Sequence, residues 1–397
     1  VNYMGIILII KYIKNWEADK VGNIISYVKE NGFLTFDAMD FNEVDSLVLS
    51  QLSYLCFDSF IESIPKFDIT FKGLAEKENR KELFKNIRTP KQNHRLLDAV
   101  AESERFGNIG IGIYVNEIEK EIEKQFSAVT FKLSSEKYYI AFRGTDKSLI
   151  GWKEDFNMSY LKNVPAQDSA LCYFKSAAEE LDGVFILGGH SKGGNLSVYA
   201  AANADEDEFL RIEKIYNHDG PGFRDNTLSQ EKRSKLSDIV LKTVPKASVV
   251  GLMLESDSKY KVVFSKSLAC NQHNPFTWSV KADSFVFIKE TDMFSRFSKT
   301  AVDKWLENND DETVSGLINY VYDLIKATGS DTVAQLIKNW NKNMRLIYNE
   351  IKISDPELKK LVVKALHDFI VIFKDILKGK RKYSDAKTCS EVSISSK

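Results

Sequence analysis

Cysteine is scarce in this chain. Its 397 residues hold four, Cys56, Cys172, Cys270 and Cys389, far apart and never at CxxC spacing. That usage argues against a disulfide framework and against a zinc site, and it fits a reducing compartment. Each cysteine is expected as a small buried apolar residue. A surplus of one charge is also missing. The formal net charge is −1, so no global field favours nucleic acid or a membrane surface. Long apolar runs are absent as well: the nearest, Ile6–Ile10, is too short to span a bilayer and is cut off by Lys11. No basic segment precedes it and no small-residue cleavage site follows, which argues against a signal peptide. Residues 1–20 are read as an N-terminal extension of doubtful standing, Val21 being an equally sensible start. A cytoplasmic protein is expected.

What the chain does have is the material of a sizeable core. It is 43% hydrophobic and 28% charged, the balance of a soluble globular protein. Its length fits one large domain with an appendage. Residues 21 to about 105 read mostly helical, with Val44, Leu47, Val48 and Leu52 on one helical face and Asn42 placed to cap it. The period then changes. Phe126–Leu133 and Tyr138–Gly144, joined by a polar turn, read as a strand hairpin.

Alternation follows: a helix over 168–181, an apolar strand over 184–187, a helix over 192–203 and a strand over 214–217. Further strand-like runs lie at 248–254, 261–266 and 284–289. Helices alternating with short apolar strands predict an α/β protein with a mostly parallel central sheet covered on both faces. This domain is placed at 21–290. Beyond it, three helical stripes, starting at Val314, Val333 and Leu361, mark a C-terminal helical region over 291–380. The last stripe precedes "KGKRK", so peripheral membrane contact is its sharper alternative to core packing. The serine-rich tail 381–397 reads as disordered.

The chemistry-bearing stretch is "LGGHSKGGNLSVYAA", Leu187–Ala201. A phosphate loop needs G-x-x-x-x-G-K-[ST], and here Lys192 follows Ser191 and precedes Gly193, so the order is wrong. "GNIGIGIY" lacks the third glycine of a dinucleotide fingerprint and leads into a strand-like run instead of a helix. The pattern G-x-S-x-G fits without adjustment, as Gly189-His190-Ser191-Lys192-Gly193. A serine on a strained strand-to-helix turn projects its oxygen, and the flanking positions must be small because backbone crowds there. The helix N-terminus also points free amides, that of Lys192 among them, where an oxyanion would form.

A second oxyanion donor should come from an earlier strand end, and "AFRGTDKSLIGWKEDF" is the candidate. At this point the chain resembles the class 3 lipases, the fungal-type triacylglycerol lipase superfamily. Phe142-Arg143-Gly144-Thr145 matches their FRGT motif and Trp152-Lys153-Glu154-Asp155 matches their W-x-x-D segment. It resembles still more closely a bacterial family of lipase-like proteins, sharing the blocks "FNEVDSLVLSQLSYL", "AFRGTD", "GHSKGGNL", "DGPGF" and "QHNPFTW" in this order. That likeness runs from about Val21 to Trp278 and more loosely beyond. It implies an α/β-hydrolase fold with an N-terminal helical segment and a C-terminal helical extension. It also implies Thr145 at the oxyanion hole and a small-molecule or lipid ester as substrate.

The order Ser…Asp…His leaves His218, His273 and His367 as candidate bases. His367 reads as a surface residue of a helix, and His218 sits beside the turn that should carry the acid. His273, in a loop after a strand, takes the family's position and is the expected base. His190 is expected to shape the turn. The acid is open. In the lipases it precedes a V-P-like step, where "VPKASVVGLM" offers only Ser248. Asp219 is the choice, with Glu255 and Asp257 as later alternatives, Ser248 as a neutral orienter of His273, and a plain turn role competing for Asp219. Lys192 is expected to carry a solvated side chain. Its sharper alternative is an ammonium that draws an anionic acyl or phosphate-bearing substrate. The reading is a serine esterase that needs no metal or cofactor. A non-catalytic binding protein on the same fold, and a thioesterase or acyltransferase using the same serine, compete with it.

Overall fold

The computed structural model describes residues 21–357 except 79, 86 and 256–258, together with 359–360 and 363–364. The extension 1–20, the third C-terminal stripe with His367, the tail and Asp257 lie outside the described residues. The chain forms two compact units. Among the described residues, the first holds 21–158 with Lys162–Asp292, and the second holds Ser159–Leu161 and those from Met293 onward.

The first unit is built on nine strands in the order β1 (Ile69–Thr70), β2 (Gly110–Glu119), β3 (Lys124–Lys132), β4 (Lys137–Phe142), β5 (Val184–His190), β6 (Ile212–His218), β7 (Val240–Pro245), β8 (Tyr260–Val263) and β11 (Phe287–Ile288). A separate pair, β9 (Val280–Lys281) and β10 (Ser284–Phe285), precedes the last of these in the chain. The five strands β4 to β8 run parallel, and antiparallel pairings flank them at both edges. This is an α/β sheet with the parallel centre that the alternating pattern predicts. The period of two sorts the side chains onto two cores. Tyr139, Ala141 and Ile186 face one cluster with the N-terminal helices, while Tyr138, Ile140, Phe142, Phe185 and Leu187 face the other. The helices Pro165–Glu180 and Lys192–Asn203 cover that second face.

Two strand expectations change. Residues 248–254 form a turn around a short 3₁₀ helix, Val250–Leu252, because Ser248 and Gly251 both turn toward Asp219. The strand of this region is β7, just upstream, where polar Lys242, Thr243 and terminal Pro245 mask the apolar signal. Residues 284–289 split: β10 pairs with β9, while β11 pairs with β8. Cys172 is exposed and Cys56 half-buried, so the expected burial fails for both.

The helix Glu43–Leu52 starts at Asn42 through a reciprocal capping box with Asp45. Nine of its ten residues are buried, so its polar face needs partners. Ser46 Oγ lies 2.8 Å from the Tyr139 hydroxyl and 2.9 Å from His218 Nε2. Asp45 is the anchor of this layer. It accepts from Arg105 Nε at 2.8 Å and from the Tyr27 hydroxyl at 2.7 Å. Arg105 Nη2 also donates to the other Asp45 oxygen, and the remaining Arg105 protons reach the carbonyls of Leu34, Met39 and Asp40. One guanidinium thus organises a whole connecting loop.

The second unit carries the helices Met293–Glu307, Asp311–Lys326, Val333–Lys338 and Trp340–Ile353. The stripe expected from Val333 to Met344 is two helices, broken at Asn339 (φ −105°, ψ 31°). The helix Met293–Glu307 was not among the three expected stripes. No helix among the described residues is long and apolar enough to cross a membrane.

Removing one partner of a buried ion pair leaves an uncompensated charge, which costs about 3–5 kcal/mol. Arg105→Met should lower the free energy of urea unfolding by that amount, and Asp45→Leu/Arg105→Met should recover most of it. A single variant as stable as the parent would show that the pair holds nothing.

Candidate active site

Ser191 stands between β5 and the helix Lys192–Asn203 with φ 60° and ψ −135°, a backbone that L side chains rarely adopt. The glycines around it answer to close packing. A Cβ at Gly189 or Gly193 would collide with the carbonyl of Phe142 at the end of β4. The turn is fastened by Ser191 N donating to the His218 carbonyl at 2.9 Å. Ser191 lines a cavity of about 320 Å³, which His273, Thr145, Asp155, Arg88 and Trp152 also line.

His273 ends a short 3₁₀ helix, Ala269–His273. Its Nδ1 lies 2.6 Å from Asp219 Oδ2. A carboxylate oxygen accepts, so Nδ1 carries a proton, and Nε2 is the ring nitrogen turned away from that contact. Asp219 follows β6 with φ 54° and is fully buried. Its other oxygen accepts from Ser248 Oγ at 2.5 Å and from Gly251 N at 3.2 Å. Ser248 therefore bonds Asp219 and does not orient His273 directly. Glu255 pairs with buried Lys242 and lines a different cavity. His218 is a core residue, with Nδ1 2.7 Å from Thr243 Oγ1 and Nε2 beside Ser46. Burial pushes it down to about 3. Both its nitrogens are used.

His190 Nε2 lies 2.9 Å from the carbonyl of His273. A carbonyl only accepts, so Nε2 bears the proton, and Nδ1 takes the Tyr54 hydroxyl at 3.4 Å. Burial, with His273 and His218 nearby, holds this ring well below the ordinary imidazole value. The residue before the serine thus pins the backbone of His273.

Lys192 corrects the expectation of a solvated side chain. It is buried, and its ammonium donates to Glu154 Oε2 at 2.7 Å, Gln125 O at 2.8 Å and Gln125 Oε1 at 3.1 Å. An ammonium has three protons, and all three are spent inside the protein. The alternative, in which it draws an anionic substrate, falls with them. Gln125 and Glu154 carry no signal of their own in the sequence; Glu154 is visible there only as a neighbour within the W-x-x-D segment.

Thr145 Oγ1 donates to Asp155, 2.7 and 2.6 Å from its two oxygens. The Thr145 amide follows the strand end and has no acceptor among the described residues, and Lys192 as first helical residue has none within its helix. Burial pushes Asp155 up to about 6, against the pull of Lys192 and Thr145. Arg88 donates to the Asp146 carbonyl at 3.2 Å and sits 5.7 Å from the Trp152 ring. No three His, Cys, Asp or Glu side chains among the described residues gather around a metal-sized position.

Residues 100–323 match the model of the Mbeg1-like family. No curated protein matches the chain. Among solved structures, M37 lipase is 17% identical with a TM-score of 0.34, over 53% of this chain and 70% of that one. A mutant form of MDLA from Penicillium cyclopium is 10% identical with a TM-score of 0.35, over 56% and 78%. Lipase II from Rhizopus niveus is 13% identical with a TM-score of 0.30, over 49% and 76%.

The raised Asp155 has a testable sign. Its folded form binds a proton before the unfolded chain does, so it adds stability below about pH 4 that is lost as pH rises through about 6. The Tm of the parent relative to Asp155→Asn should therefore climb as pH is lowered from about 7.5 to about 5. A constant difference across that range would show that the carboxyl stays ionised.

Proposed function

The chain belongs to the Mbeg1-like family, and on that premise we propose that it is a serine hydrolase cleaving carboxylic esters through an acyl-enzyme on Ser191. The observation that carries the reading is the hydrogen bond of His273 Nδ1 to buried Asp219 at 2.6 Å, with Ser191 and His273 lining one cavity. His273 Nε2 takes the Ser191 proton as the oxygen attacks the ester carbonyl. The imidazolium so formed is stabilised by Asp219, then protonates the leaving alcohol. Water, activated by the same nitrogen, releases the acyl group and restores the serine. The free amides of Lys192 and Thr145 are the donors for the tetrahedral oxyanion. Contacts between nucleophile and base commonly tighten only when substrate is bound. A lipid-like acyl chain is the substrate this reading favours.

A fluorophosphonate probe should label the protein at Ser191, and Ser191→Ala should abolish labelling. An unlabelled parent would leave the binding-protein reading standing. Asp219→Asn should lower kcat on a short p-nitrophenyl ester by about 10²–10⁴-fold, through the lost tautomer and imidazolium stabilisation. Undiminished turnover would remove Asp219 from the relay. Esters and thioesters of varied acyl length then separate esterase from thioesterase.

A further inference from the structure

The most heavily bonded charge near the cavity is the one that the reaction above leaves idle, the ammonium of Lys192. Its neighbours are unusual. Gln125 lies on β3, and its Oε1 accepts from Asp146 N at 3.4 Å as well as from the ammonium. Glu154 is fully buried and lies on the helix Leu149–Asn157. Besides Lys192 it accepts from Gln125 N at 3.1 Å and from Ala166 N at 2.9 Å. The next residue of that helix, Asp155, holds Thr145, and its Oδ1 stands 4.0 Å from the ammonium. Two separate segments carry the two free amides: the turn after β5 and the loop after β4. The ammonium is joined by hydrogen bonds to both, belonging to the first and reaching the second through Gln125 Oε1 and Asp146.

We infer that the Lys192 side chain is a positioning residue, an internal clasp that sets the spacing of the Lys192 and Thr145 amides across the oxyanion hole. This rests on the hydrolase reading and goes beyond it in assigning work to a side chain that never touches substrate. The physical reason is directional. Preorganised donors speed reaction only when aimed at the oxygen of the tetrahedral state, and a strained turn beside a loop does not by itself fix that aim. Three charge-assisted bonds, all shielded from water, restrict both segments at once. An apolar residue after the serine would fill the space without connecting the two.

The test separates the clasp from simple structural support. Lys192→Met alone strands buried Glu154, so the informative variant is Lys192→Met/Glu154→Gln, which removes both charges and keeps the volumes. On a short p-nitrophenyl ester it should lose about 10²-fold in kcat, the effect of one misplaced oxyanion donor, with KM within about threefold. Affinity for an alkyl boronic acid, whose serine adduct is tetrahedral and anionic, should fall by a similar factor. Gln125→Ala, which leaves the ion pair intact and cuts the link to Asp146, should fall by about tenfold with the same pattern. A folded double variant with parental kcat overturns the inference, as does a rise in KM with unchanged boronate affinity. If the double variant does not fold, Gln125→Ala decides: parental kcat overturns the clasp, and a kcat-only loss supports it. The parent must first be labelled at Ser191. Failure there sinks the hydrolase reading itself, whereas failure of the variants alone sinks only the clasp.

Discussion

The left-handed backbone at Ser191 is the constraint that the rest of the first unit serves. A non-glycine residue at φ 60° and ψ −135° sits in a region costing roughly 1–3 kcal/mol. It persists because its surroundings over-determine it. β5 is locked between β4 and β6 by parallel pairing on both sides. The serine amide is tied to β6 and its carbonyl accepts from Gly194 N. Relaxing the turn would disturb all three strands. The adjacent strand repeats the device. His190 and His218 pair as the last residues of β5 and β6, and the residue after each, Ser191 and Asp219, takes a positive φ. The proposed nucleophile and the proposed acid thus leave the sheet from neighbouring strand ends.

The residues on either side of the serine divide the remaining work. His190 reaches one way and holds the carbonyl of His273, so the loop bearing His273 is tied to the turn bearing Ser191. Lys192 reaches the other way, to β3 and the helix after the FRGT loop. Both are buried polar groups, costly unless satisfied, and both are satisfied by segments that line the cavity or abut it. Polar burial here goes into fixing relative positions. The apolar cores on the two sheet faces supply the cohesion.

Much of this is legible in the amino-acid order. The turn, its glycines, the helix over 192–203 and the hairpin before the FRGT motif follow from local pattern, because each is decided by sterics or periodicity within a few residues. His273 and Asp219 can be named as candidates from their order and their places after strands. Their meeting cannot, since they lie 54 positions apart and three carboxyl groups and one hydroxyl compete for the role. The strand expected at 248–254 is lost for the same reason: Ser248 and Gly251 turn toward a carboxyl that only the folded chain puts there.

Lys192 marks the division most sharply. By itself the amino-acid order determined the elbow, the alternating α/β plan and the kinds of side chain available, because these depend on short-range sterics and hydrophobic period. Only the tertiary structure decided that Ser248 serves Asp219, that His218 belongs to the core, and that the lysine is a buried cation and not a solvated one. A charge is buried when partners from distant segments replace its water, and no local pattern records where Gln125 and Glu154 will be.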